Sequence, residues 1–492
     1  MTLRARRRRV VVGALLAAWL AVAWWQTHKP LPPGTHVASP VCTVPAAGLA
    51  FIADTTTADA FGRPVVSQAI FDAVLGVIAG ARRFIVLDYA SFGGAAAAAG
   101  DAGEAARPRR VAAPLTEALL AKRRAEPSLP ILLITDPANE GYGALQSEDL
   151  QLLRAAGVEV VTTDLNRLRD SNPAWSSLWR LALRWWDGPS GPFGIETRRL
   201  NFKRSDRRLI IADDPRGDLV AIVGSANPSD RESGWSNVAL RVTGAPLAAL
   251  LGSELEIARF SGWRSAAAFA ASTGPAPPEC AATDGTVSQA PAGSARVQLL
   301  TEGAIRAELL ARLDASGAGE SVDAALEYLA DRGVIESLLA AAQRGVSVRL
   351  ILDPSQGMSR GGVAGVPNQP VASELVSRSG GAIHVRWYRT HGERFHSALL
   401  LIEGRHRLWL LAGSAQLTRR DLDDYNLEAA AAIELSREAP LAQQVLEYFG
   451  TLWANRAAAG IEYTADFAVY ADPAQTDYWL YRLMEASGLS AF

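Results

Sequence analysis

The chain has 492 residues, nearly half of them apolar and a fifth charged, with a net charge of −2. That composition excludes a disordered or fibrous chain, and the length allows two or three domains. The near-balanced charge gives no general reason to bind nucleic acid.

The N-terminus carries the strongest physical signal. "RARRRR" (4–9) precedes the apolar run "VVVGALLAAWLAVAWWQ" (10–26). A bilayer span needs about 17–25 such residues. Trp24 and Trp25 stand at the outer end of the run, where aromatic belts form. The segment reads as a transmembrane anchor with the Arg cluster in the cytoplasm and the rest of the chain on the extracytoplasmic side, periplasmic at a bacterial-type inner membrane. The alternative is a cleaved signal peptide, since "AVA" precedes Trp24. A Pro-rich spacer, "HKPLPPGTH" (28–36), completes an N-terminal unit of residues 1–36. Two cysteines occur, Cys42 and Cys280. In an oxidising compartment they can form a disulfide; two separate thiols are the alternative.

Two halves follow, residues 45–271 and 296–475, divided by a linker rich in Pro, Ala, Gly and Ser at 272–295 and trailed by a tail at 476–492. In each half, helix-period segments alternate with short β-branched runs, which indicates an α/β layered fold. The first half has a helix feeding "ILLITDP", then "RLIIAD" (208–213) and "GSANPSD" (224–230). The second has a helix feeding "VRLILDP", then "SALLLIE" (397–403) and "GSAQLTR" (413–419). The repeated order predicts two related domains. The first half also holds an insertion, "SNPAWSSLWRLALRWWDGPSGPFG" (171–194). Trp175, Trp179 and Trp186 fall at helical spacing there and suggest either a packed stripe or a helix at the membrane interface. Six basic residues in 198–208 lie beside it and suit anionic lipid.

Set side by side, the halves read Asp206-x-Arg208-x4-Asp213 with Gly224-Ser225-x-Asn227, and His396-x-Ala398-x4-Glu403 with Gly413-Ser414-x-Gln416. Residues i and i+2 share a strand face, so Asp206 pairs with Arg208 and His396 with Ala398. Asp213 and Glu403 have the opposite parity, which suits a structural role. The double pattern resembles the phospholipase D superfamily, whose paired motif is H-x-K-x4-D followed by G-S-x-N, over roughly residues 50–470. The resemblance implies two pseudo-symmetric α/β/α domains sharing one interfacial cleft. No cofactor or metal is expected, since His384, His391 and His396 lack the closely spaced carboxylate or thiolate partners of a zinc site. The resemblance also implies one His attacking phosphorus while the other protonates the leaving alcohol. Imidazole suits both tasks near neutral pH.

Both motifs depart from that pattern. Of the two His only His396 remains, with Asp206 in the other place. Neither Lys remains: Arg208 and Ala398 stand there. Asn227 is kept and Gln416 replaces the second Asn. The family also orients its His with a downstream acid. Glu428 fills that role in the second half, and counting from the "GSA" turns puts Ala239 at its counterpart. The expected site is therefore His396, Glu428 and Asp206 for chemistry, with Arg208, Ser225, Asn227, Ser414 and Gln416 around phosphate. A carboxylate with an ordinary pKa of about 3.9 is a poor proton donor at neutral pH and repels a phosphodiester. The expectation is thus a membrane-bound phospholipid head-group binder with turnover weak or lost, a pseudoenzyme. The alternative is an active hydrolase or phosphatidyltransferase of the cardiolipin-synthase kind using His396. His391, five residues upstream, is a loop residue or a second imidazole.

Overall fold

The computed structural model describes residues 3–94, 109–143, 145–185, 203–265, 269, 280, 293–355, 363–456, 460–472 and 477–489. The Ala-rich stretch 95–108, most of the linker and Trp186 lie outside them. In the first half the strands are β1 (Cys42–Pro45), β2 (Ala50–Ala58), β3 (Pro64–Ser67), β4 (Ile85–Tyr89), β5 (Ile131–Thr135), β6 (Glu159–Thr162), β7 (Leu209–Asp213), β8 (Leu219–Gly224) and β9 (Asn237–Thr243). In the second they are β10 (Ser294–Thr301), β11 (Ser321–Leu326), β12 (Ser347–Leu352), β13 (Ile383–Tyr388), β14 (Ala398–Glu403), β15 (Arg407–Gly413), β16 (Ala429–Ser436) and β17 (Thr464–Asp466).

The strands form two sheets, ordered β3-β2-β9-β8-β7-β4-β5-β6 and β1-β10-β16-β15-β14-β11-β12-β13-β17. From β2 to β6 and from β10 to β13 the order is the same strand for strand. In each sheet three parallel strands are followed by antiparallel neighbours. The parallel strands are connected through helices, Ala112–Ala125 between β4 and β5 and Arg332–Gln343 between β11 and β12. Continuous apolar runs form such strands because helices cover both faces.

Side-chain alternation sorts the core. Leu209 and Ile211 of β7, with Leu399 and Leu401 of β14, point into one core between the sheets. Helices Leu247–Phe260 and Pro440–Ala454 fill that space with Leu250, Ile257, Val445 and Phe449. Ile210 and Ala212 face outward under helices of the first half, while Leu400 and Ile402 do so in the second. A one-residue slip would exchange these faces, so the register is strongly specified.

The N-terminal helix, Leu3–His28, is 26 residues long, about 39 Å at the helical rise. Residues Arg6–His28 include a window of mean hydropathy 1.7, and this helix, the one among the described residues long and apolar enough to cross a membrane, suggests one membrane-spanning segment. The Pro-rich spacer is pinned to the body. Lys29 Nζ donates to the Asn166 carbonyl at 2.6 Å. The Thr35 carbonyl accepts from Arg207 Nη2 at 2.9 Å and from Ser253 Oγ at 2.9 Å. Cys42 and Cys280 form a disulfide with Cα atoms 5.4 Å apart. β1 pairs with β10, so the segment before the first lobe extends the second lobe's sheet. The segment set apart as a tail folds into the helix Tyr478–Ser487, which buries Tyr481 in the second lobe's core.

Candidate functional site

Two short crossings bring the motifs of the halves together. Ser205 bridges to Leu427, and the Asp206 N–H donates to the Leu427 carbonyl at 2.8 Å. In the same manner Ser236 bridges to Phe395, and the His396 N–H donates to the Ser236 carbonyl at 2.8 Å. The two "DP" aspartates, left without a role by sequence reasoning, hold the approach to each motif. Asp136 Oδ2 accepts from the Ser205 N–H at 3.0 Å, and Asp353 Oδ2 from the Phe395 N–H at 2.8 Å. Burial pushes both carboxyls up to about 6.

In the first motif Asp206 and Arg208 close on each other. Arg208 Nε and Nη2 donate to the two Asp206 oxygens at 2.8 and 2.7 Å. Nη1 donates to the Ser225 carbonyl at 3.1 Å and, across the halves, to the Ser414 carbonyl at 3.4 Å. Burial pushes the Asp206 carboxyl up, but Arg208 and then Arg204 more than offset it, leaving it below its ordinary value. Arg208 holds φ at +49°, a conformation that costs about 1–2 kcal/mol for a residue with a Cβ. Arg207, between them, points the other way. It is fully buried and donates to Glu254 and to Glu302, one carboxylate from each half. Sequence reasoning missed this clamp, because Arg207 precedes β7 and its carboxylate partners lie 47 and 95 residues away in the chain.

In the second motif His396 is buried and held at both nitrogens. Nδ1 lies 2.9 Å from Asn237 Oδ1, and Nε2 lies 3.2 Å from Glu327 Oε2. Trp235 stacks obliquely on the ring at 5.0 Å between centroids. Burial, then the guanidinia of Arg208, Arg394 and Arg204, push the imidazole well below its ordinary value. Burial pushes Glu327 up to about 7 although Arg394 Nη1 donates to it at 3.0 Å. A neutral imidazole donating from Nδ1 to Asn237, with Nε2 towards the raised Glu327 carboxyl, is consistent with both shifts.

The expected pairing of His396 with Glu428 is not formed, and the counterpart of Glu428 is Asn237 instead of Ala239. Strand register shows why. Gly224 pairs with Ala239 and Gly413 with Ala430, so the second turn is two residues longer and equal counting misaligns it. Ser225 Oγ then donates to Asn237 at 3.0 Å as Ser414 Oγ does to Glu428 at 2.5 Å. Each of these side chains belongs beside the motif of the other half. Asn237 meets His396, and Glu428 is held by the field of Asp206 and Arg208. Burial, followed by Asp421 and Asp206, pushes Glu428 well above its ordinary value.

Other expected groups are differently placed. The Gln416 amide is occupied within its own half: Oε1 accepts from the Glu327 N–H at 3.0 Å, and Nε2 donates to the Ser397 carbonyl at 3.0 Å. The phosphate-binding role expected for Gln416 therefore has no donor left in this arrangement beyond the second Nε2 hydrogen. Asn227 donates to Glu232 at 2.9 Å and accepts from the Ser91 N–H at 3.1 Å. Asp213 accepts from the N–H groups of Arg82, Arg83 and Phe84, and Glu403 pairs with Arg437. His391 is an exposed loop residue whose N–H donates to Glu393. Glu327 and Asn237 were missed because their contacts come from neighbouring strands and from the opposite half.

The tryptophan stripe also needs correcting. Asn172 caps the helix Pro173–Leu178, which widens into a π segment over Trp179–Leu183. Arg180 Nε donates to Asp170 at 2.9 Å, and Ser176 Oγ donates to the same carboxylate, which sets the rotation of the helix. Trp179 is consequently buried and Trp175 half-buried, while Leu178, Leu181 and Trp185 face out.

Residues 309–453 match the family model described as "Cardiolipin synthase, PLD-like domain". That stretch is similar to a phospholipase D-like domain. The fold of the chain is similar to that of phosphatidylserine synthase from Haemophilus influenzae Rd KW20, at 10% identity and a TM-score of 0.53, covering 97% of this chain and 99% of that one. More distant matches are polyphosphate kinase from Porphyromonas gingivalis (13% identity, TM-score 0.42, 89% and 53% covered) and the phospholipase D family member Nuc from Salmonella typhimurium (20% identity, TM-score 0.26, 32% and 95% covered). No curated protein matches the chain. The phospholipase D-like match lies wholly in the half that keeps the histidine.

Proposed function

We propose that this is a membrane-anchored phospholipase D superfamily member whose duplicated lobes share one cleft, which binds phospholipid head groups and has lost most or all turnover. The observation that carries this reading is the closed Asp206–Arg208 fork. Four of the five guanidinium N–H groups of Arg208 are occupied by Asp206 and two carbonyls. In-line transfer through a phosphohistidine needs a free imidazole lone pair and cations for the equatorial oxygens. His396 Nε2 faces Glu327, and Ala398 stands where a lysine would. Arg204, with a side chain 37% exposed and 3.8 Å from Asp206, is the cation a head-group phosphate can reach.

The lipid substrate class is supported by the apolar N-terminal helix and by a similar structure that is named a phosphatidylserine synthase. The Arg cluster supports an N-terminus in the cytoplasm and lobes on the extracytoplasmic side, a compartment that suits the disulfide. A near-neutral chain argues against nucleic acid.

Full chain reconstituted with labelled phosphatidylglycerol should release no phosphatidate and form no transfer product. Short-chain phosphatidylglycerol should still bind the solubilised chain, and Arg204→Ala should weaken that binding roughly tenfold or more. The second reading, an active hydrolase or phosphatidyltransferase, is favoured by the family match over the half with His396. Brisk release that His396→Ala abolishes would establish it.

A further inference from the structure

We propose that the C-terminal helix, Tyr478–Ser487, lies in the outer headgroup layer of the bilayer, beside the point where the N-terminal helix leaves it. One side of this helix is fixed to the protein. Tyr481 is fully buried and donates its hydroxyl to the Ala330 carbonyl at 2.7 Å, with Tyr478 and Met484 packed on the same core. The opposite side then carries Trp479 at 76% exposure and Leu483 at 64%, one helical turn apart, with Leu480 beside them and Leu489 just beyond the helix. A large apolar stripe held outward by its own buried anchor is a contact surface, unlike singly scattered apolar residues.

The C-terminal end of this helix lies beside the membrane end of the molecule. Gly488 ends the helix at φ +71° and lies so close to Ser171 that a Cβ there would come within 1.8 Å of the Ser171 carbonyl oxygen. The adjacent Asp170 N–H donates to the Gln26 carbonyl at 3.0 Å. Gln26 ends the apolar run of the N-terminal helix. Next to that exit runs the helix at 173–183, whose Ala174 carbonyl accepts from Trp19 Nε1 at 3.2 Å. Trp19 lies seven residues inside Gln26, roughly 10 Å along the axis. Leu178, Leu181 and Trp185 are exposed on that helix, and Arg184 sits 4.3 Å over the Trp185 ring. Two apolar surfaces thus flank the exit, with aromatic and arginine side chains suited to the headgroup layer. Together with the N-terminal helix they give the body several attachments to one leaflet and so a fixed tilt. Phosphatidylcholine suffices for this contact, because it rests on apolar area more than on charge.

The inference rests on the N-terminal helix spanning the bilayer, and one experiment separates the two. Full chain with its disulfide intact is labelled with an environment-sensitive fluorophore at Leu483→Cys, Leu16→Cys or Arg216→Cys, the last on the exposed β7–β8 turn. It is reconstituted in phosphatidylcholine vesicles with and without nitroxide-labelled lipid. Emission at 483 should fall by roughly half or more of the loss seen at 16, and emission at 216 should be unchanged. A loss at 16 with none at 483 overturns the inference and leaves the anchor standing. No loss at either position removes both. Equal loss at 216 and 483 means general adsorption and also overturns it.

Discussion

The two motifs sit on the same scaffold and hold opposite electrostatic states. Each is led in by a buried "DP" aspartate, crosses to the turn of the other half, and faces a Gly-Ser turn whose serine bonds the next group. In the first half that frame holds an ionised Asp206–Arg208 pair. In the second it holds a neutral His396 between Asn237 and Glu327. The difference shows that one backbone frame can hold an ion pair in one half and an imidazole in the other. The framework's hydrogen bonds stabilise the fold whatever the motif side chains do.

The comparison can be broken most forcefully at Asp206. Asp206→Ala leaves Arg208 buried without its carboxylate and should cost about 3–5 kcal/mol; Asp206→Ala/Arg208→Met should recover most of that. Urea unfolding of the three chains tests it, and equal losses in single and double variants would show that the pair is not coupled. Asp213→Ala should cost about 1–3 kcal/mol, because three N–H groups lose their acceptor. Its counterpart Glu403→Ala, which breaks a surface pair with Arg437, should cost only about 0–1 kcal/mol. Thermal unfolding of both distinguishes the two ends of the repeated strand.

A gentler probe is pH. His396 is depressed in the fold, so its contribution is present above the ordinary imidazole value near 6.5 and is lost as pH falls below it. Glu327 is raised from 4.5 to about 7, so its contribution is present below 4.5 and is lost as pH rises through 7. His396→Gln should flatten the acid-side loss and Glu327→Gln the loss towards neutrality. Unfolding free energy measured from pH 4.5 to 8 reads both slopes, and unchanged slopes in the variants would reject the neutral pair.

The α/β class was legible because the order of elements along the chain follows from local pattern. "RLIIAD" and "SALLLIE" read as buried strands, and their companions recur in the same order. The site was half legible. Spacing put Asp206 and Arg208 in one motif, but both precede β7 and Arg208 has φ +49°, so strand parity does not account for their contact. The partners of His396 escaped that reasoning: Asn237 comes from the other half, and the turn before Glu428 is two residues longer than its counterpart. For the tryptophan stripe, burial decided at Trp179 for the packed reading, with the Asp170 contacts setting the helix rotation, while Trp186 lies outside the described residues.

By itself the sequence determined the apolar N-terminal helix, the alternating strands and which motif side chains are absent, since these depend on residue type and short-range periodicity. Tertiary structure alone decided that Arg208 is closed on Asp206 and two carbonyls, that His396 is neutral between residues from two halves, and that the C-terminal helix turns Trp479 and Leu483 outward. Those outcomes depend on burial and on contacts between segments hundreds of residues apart, and chain spacing carries no information about either.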